Sequence, residues 1–88
     1  MCTNISRSTE VTGVGRGRSD WFPVTRATVG YDHATHIGTE HALLLDFANY
    51  DIGPEARIAV ELNLTSARAL LEQLAATLEA AEASGVPE

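Results

Sequence analysis

The sequence contains no lysine: its six basic residues are all arginine, set against twelve carboxylates for a net charge of −6. That balance excludes the basic stripe that nucleic acids and anionic membranes reward, so neither is expected as a partner. A single cysteine, Cys2, excludes an internal disulfide. No run approaches the roughly 20 apolar residues of a membrane helix. The opening Met-Cys-Thr-Asn-Ile-Ser-Arg lacks the apolar stretch of a secretory signal, which points to a cytoplasmic protein. There is no internal repeat and no low-complexity segment. Eighty-eight residues leave room for one domain and one small core. A domain of this size buries only about 60–65% of its unfolded surface, and self-association commonly offsets so thin a margin.

What is present reads as strands followed by a helix. Residues 1–8 are polar and aperiodic and are expected to be flexible. Residues 10–17 form a first strand interrupted by Gly13, Gly15 and Gly17, which suggests a bulge or a close backbone approach. Residues 24–32 form a second strand and residues 41–50 a third. Residues 57–64 alternate cleanly, with Ile58, Val60, Leu62 and Leu64 on one side, and form a fourth. The period then changes from two to 3.6. Ala67, Leu70, Leu71, Leu74, Leu78 and Ala81 make one apolar stripe over residues 66–84, with Thr65 as a candidate N-cap and Gly85 past the end. The fold class is therefore α+β: a four-stranded antiparallel meander with one C-terminal helix packed on one face. The third strand is apolar on both faces. That predicts a homo-oligomer, preferably a dimer, formed through the sheet face opposite the helix.

All three histidines fall in or beside the connection between the second and third strands, residues 32–41. This connection is longer than a typical hairpin loop, and long loops more often carry function. If paired residues have numbers summing to 74, Tyr31 faces Leu43, Val29 faces Leu45 and Ala27 faces Phe47, so every core residue meets another. The same register sets His33 opposite His41, close enough for two imidazoles to share one ion, whereas a slip of two residues would keep the core match and leave the histidines diagonal. His36 is the candidate third ligand. Glu40, or the amine and thiolate of Cys2, are candidates to complete the shell. Three imidazoles suit one transition-metal ion: zinc, copper, iron or nickel.

Other residues support other chemistry. Asp46 sits among Leu43, Leu44, Leu45 and Phe47, and shares its sheet face with Asp32, Glu61 and Arg26. Asp46 and Glu61 are candidate acid–base groups, with Arg26 as the expected partner of Asp46. The parity that joins these residues separates them from His33 and His41. Trp21, beside Phe22 and Pro23, is a candidate for core, pocket or interface packing. The run Gly13-Val14-Gly15-Arg16-Gly17 lacks the spacing and the following helix of a dinucleotide-binding loop.

Taken together, Met1-Cys2-Thr3, the glycine run before Trp21-Phe22-Pro23-Val24, Tyr31-Asp32-His33, Glu40-His41 with Asp46-Phe47, and Arg57-Ile58-Ala59-Val60-Glu61-Leu62 resemble a small family of uncharacterised actinobacterial proteins. The resemblance implies a bacterial host group and carries no activity, cofactor or catalytic residue with it. The leading expectation from the residues themselves is a small homo-oligomeric metal-binding protein, extending to a metalloenzyme of secondary metabolism. Two alternatives stand beside it. One is a metal-free binding or accessory module that takes a small-molecule ligand or partner on the outer sheet face and Trp21. The other is a cofactor-independent enzyme working through Asp46, Glu61 and Arg26.

Overall fold

The computed structural model describes residues 2–88. Four strands, β1 (Ile5–Arg16), β2 (Trp21–His33), β3 (His41–Ala48) and β4 (Arg57–Leu62), precede one helix, α1 (Leu64–Ser84). The strands form one antiparallel sheet in the order β1-β2-β3-β4, the meander that short connections favour. The β2–β3 register pairs Tyr31 with Leu43, Val29 with Leu45, Ala27 with Phe47 and His33 with His41. Of the registers that match core residue to core residue, this is the one that sets the two histidines opposite each other.

Several boundaries differ from those read in the sequence. β1 begins at Ile5 rather than residue 10, so residues 5–8 are strand and not a flexible lead. They pair with Tyr31 to Thr28, because β2 is long enough to template them. β2 begins at Trp21 rather than residue 24, and Pro23 is accommodated opposite Val14 near its start. β3 stops at Ala48, where Asn49 turns the chain: its amide side chain donates to the Pro23 carbonyl at 2.9 Å and accepts from the Asp51 N–H at 3.2 Å. β4 stops at Leu62 because the next residue, not Thr65, is the N-cap. The Asn63 side chain accepts from the Ser66 N–H at 2.8 Å, and its carbonyl accepts the first helical bond from Ala67. Gly85 closes the helix in the left-handed conformation (φ 70°) expected of it.

A register shift between Glu10 and Gly13 marks the bulge that the glycine run suggests. Its consequence is a curl. At Gly15 an added Cβ would stand 2.8 Å from Ile58 Cδ1 and 3.0 Å from Val24 Cγ2. β1 and β4 are the two edges of the sheet, so this contact shows one end rolling until the edges meet, with Val24 buried beneath. The other end stays open.

At the open end α1 runs beside β3 on the face carrying Val29, Leu45 and Val60. No residue of the helix is buried there. A groove of about 810 Å³ separates its first three turns from the sheet, lined by Leu43, Leu45, Phe47, Leu62, Leu70 and Leu74 among others. The buried apolar residues among those described are Val24, Ala42, Ala48 and Ala56. No helix is long and apolar enough to cross a membrane.

Candidate metal centre

His33 ends β2 and His41 begins β3, so the antiparallel pairing that aligns the core sets the two side chains side by side at the open end of the sheet. Their ring centroids are 4.7 Å apart at 45°, and His41 also stacks on Tyr31 at 5.7 Å. Tyr31 and His41 lie along one side of the pleat, so the aromatic ring orients the imidazole from the core side.

The third member of the group is Asp32. One donor atom each from Asp32, His33 and His41 lies within 4.8 Å of the others, a grouping of hard and borderline donors that suits a transition-metal ion. By strand parity Asp32 belongs to the opposite face. Its carboxylate is drawn back to the strand end because Oδ1 accepts the His33 N–H at 2.8 Å. Oδ2 accepts from the Cys2 thiol at 3.5 Å, which brings Cys2 to the border of the group. The His33 amide, the Cys2 thiol and the neighbouring imidazoles hold the Asp32 carboxyl below its ordinary value, against the opposing effect of partial burial. A carboxylate that stays ionised is the form a metal requires. The N-terminal segment is fixed in turn by Thr3, whose hydroxyl donates to the Tyr31 carbonyl and accepts from the Ile5 N–H.

His36 lies elsewhere. Its side chain is 88% exposed, with Nδ1 2.8 Å from the Thr35 hydroxyl and 3.6 Å from Glu61 Oε2. Glu40 is exposed and outside the group, although its carbonyl closes the loop by accepting from the Ala34 N–H.

What fixes the loop is Glu61. Its carboxylate accepts from the Thr35 hydroxyl (2.6 Å) and from the backbone N–H groups of Thr35 (3.1 Å), His36 (2.8 Å) and Ile37 (2.9 Å). The Thr35 hydroxyl, the Ile37 amide and the other two amides together hold its pKa down at about 2, against the raising effect of burial. So low a value leaves no protonated fraction near neutrality, and every bond described restrains loop backbone or the Thr35 side chain. The geometry makes Glu61 the anchor of the histidine loop. Sequence reading grouped Glu61 with Asp46 by parity. It had no signal for the loop folding over that face.

The expected Asp46–Arg26 pair is replaced by another. Asp46 Oδ2 accepts from Arg57 Nε at 2.5 Å, because Arg57 pairs with Ala48 and sits diagonally across β3–β4 from Asp46. Arg26 stands opposite Glu10 in the β1–β2 register and lines a separate hollow with Tyr50 and Asp51. Trp21, 60% exposed, is at the far end of β2 from the histidines. The three residues of the carboxylate-enzyme reading are therefore not one constellation.

A family model matches residues 1–87, and its description is a family of unknown function, DUF6295. The chain belongs to DUF6295. Neither the comparison with curated proteins nor that with solved structures gave a match. The motif resemblance read from the sequence is thus to a family whose activity has not been assigned. In this DUF6295 chain the candidate site is defined by its own donor atoms, those of Asp32, His33 and His41.

Proposed function

We propose that this protein is a small metal-binding domain that holds one transition-metal ion between Asp32, His33 and His41. The supporting observation is the grouping of two facing imidazoles and one carboxylate with donor atoms within 4.8 Å. Tetrahedral zinc, with bonds of about 2.0–2.2 Å, draws its ligands to roughly 3.3 Å from one another. Side-chain rotation at the strand ends closes that difference without moving the ladder. Two histidines and one carboxylate suit zinc or iron(II). Three protein donors leave a further position for water, the pattern of catalytic rather than structural sites. Cys2 stands next to the carboxylate, outside the three-donor group. His36 is left out of the set because Thr35 and Glu61 hold it on the other side of the loop.

Zinc added to metal-stripped, untagged protein tests the reading. At a hundredfold excess over Kd, binding stabilises the fold by about 2.7 kcal/mol. That raises Tm by roughly 10–20 °C in a domain of this size. His41→Ala abolishes the rise, Asp32→Ala weakens binding at least about tenfold, and His36→Ala leaves it unchanged. An unmoved Tm with zinc and with iron(II) defeats the proposal. Loss of binding in His36→Ala as well as in His41→Ala, with Asp32→Ala unchanged, would return the site to the three histidines.

A further inference from the structure

The helix-side face has more apolar surface than one chain of this size can leave open. The described chain exposes 7021 Å², whereas a compact 9.4 kDa monomer exposes about 5,000 Å². Its radius of gyration is 14.8 Å, against about 12 Å for a compact chain of 88 residues. A large apolar part of this surface lies on α1 and the groove beneath it. Leu64, Leu70, Leu71, Leu74 and Leu78 are all exposed, the last two at 54% and 63%.

We infer that a second copy of this chain covers the groove and the leucine stripe, the two helices crossing antiparallel about Leu74. Area is the first argument. The surplus of roughly 2,000 Å² per chain doubles to about 4,000 Å², within the range of obligate homodimers. A small ligand could fill the groove but could not cover Leu78, which lies beyond its lining residues.

Charge is the second argument. Arg68 is the one cation of α1, near its start, while Glu79 and Glu82 are near its end. The helical period places all three on the same flank of the leucine stripe. A parallel pair would set this flank against the opposite, uncharged one of the second copy, with Gln73 and Thr77, and leave Arg68, Glu79 and Glu82 without partners. An antiparallel pair centred on Leu74 sets Arg68 within a turn of Glu79 and Glu82 of the second copy, Leu70 against Leu78, and Leu74 against itself. The two helix dipoles are then opposed as well.

The face differs from the one that the sequence suggested for an interface. On the outer face Ala42 and Ala48 are already buried within the chain, and the loop anchored on Glu61 lies over the same side. The exposed leucines of α1 are on the other side.

Sedimentation velocity of the full chain, at micromolar concentration and with or without a chelator, provides the test. A dimer in both conditions is expected, which also separates this inference from the metal site. Leu74→Glu shifts the protein to monomer. Arg68→Glu alters only an exposed charge and weakens the dimer at least about tenfold, and Arg68→Glu combined with Glu79→Arg and Glu82→Arg restores it. A folded monomer at every concentration overturns the inference, as does a monomer carrying a co-purified apolar molecule by native mass spectrometry. A dimer indifferent to both Leu74→Glu and Arg68→Glu overturns it equally.

Discussion

On the face of the sheet that carries Ala42, Asp46 and Glu61, small side chains are buried, one carboxylate is paired with arginine and the other is saturated by a folded-back loop. On the face that carries Leu45, Phe47 and Val60, the helix stands off and its leucines remain exposed. The difference follows from what each face is made of. Polar groups on a sheet are satisfied locally by a hydrogen-bonding loop or a diagonal ion pair. Apolar area is satisfied only by more apolar area, and one amphipathic helix on a short tether supplies too little of it. The metal-ligand candidates lie at the strand ends where these two faces meet, since Asp32 belongs to one by parity and His33 and His41 to the other.

The sharpest way to break this comparison is at the outer-face ion pair. Arg57→Ala leaves Asp46 mostly buried, with Oδ2 stripped of its partner and Oδ1 already without one. The expected cost is about 1–3 kcal/mol, and adding Asp46→Asn recovers most of it. Thermal denaturation checks both. Because the pair lies within one chain, the loss in Tm is the same at every protein concentration. The Tm of the unaltered protein instead rises with concentration if the helix-side face is shared between copies. A loss that varies with dilution would erase the distinction between the faces.

A milder perturbation acts on the loop alone. Glu61 ordinarily titrates near 4.5 and is held at about 2 in the fold. Its contribution is thus complete above about 4.5 and is lost as pH falls towards 2, because the unfolded chain takes up the proton first. Asp32 is shifted in the same direction and adds to the same acid-side loss. Hydrogen exchange at the Thr35, His36 and Ile37 amides follows this directly. Protection should fall by roughly tenfold or more in Glu61→Gln at neutral pH, with the sheet interior unaffected. The variant should also flatten stability between pH 4.5 and 2 relative to the parent. Equal protection of those amides in parent and variant would mean that the carboxylate does not anchor the loop.

How much of this was legible in the sequence depends on the range of the interaction. The period of two in β4 and the change to 3.6 at α1 follow from local alternation, which also narrows the β2–β3 pairing to registers that match core residues, one of them setting His33 opposite His41. Asp32 was visible only as an outer-face carboxylate. Its turn towards the histidines depends on a bond to the adjacent backbone amide, which parity does not describe. The departure of His36 from the expected ligand set depends on Glu61, twenty-five residues away, and no spacing rule connects a loop amide to a distant strand carboxylate. The extra length of β1 was missed for a similar reason. Ile5 to Ser8 is polar enough to read as a loose lead, and its order comes from the β2 edge it pairs with.

The smallest effect tests the closed end, the one place where the helix-side face completes itself. Gly13 and Gly15 belong to the same run, yet a Cβ on Gly13 would meet nothing, while one on Gly15 would meet Ile58 Cδ1 at 2.8 Å and Val24 Cγ2 at 3.0 Å. The isoleucine atom is the end of a flexible side chain, so the clash is relieved by rotation rather than by moving the strand. Gly15→Ala should therefore cost about 1 kcal/mol, at the low end of overpacking. Gly13→Ala should be neutral or slightly stabilising, because it restricts only the unfolded chain. In the background of Ile58→Val, which removes the closer of the two contacts and leaves that with Val24, Gly15→Ala should cost less, a coupling that a double-mutant cycle reads directly. Independent, additive effects of the two substitutions would mean that the edges of the sheet do not meet, and that both ends of this face stand open.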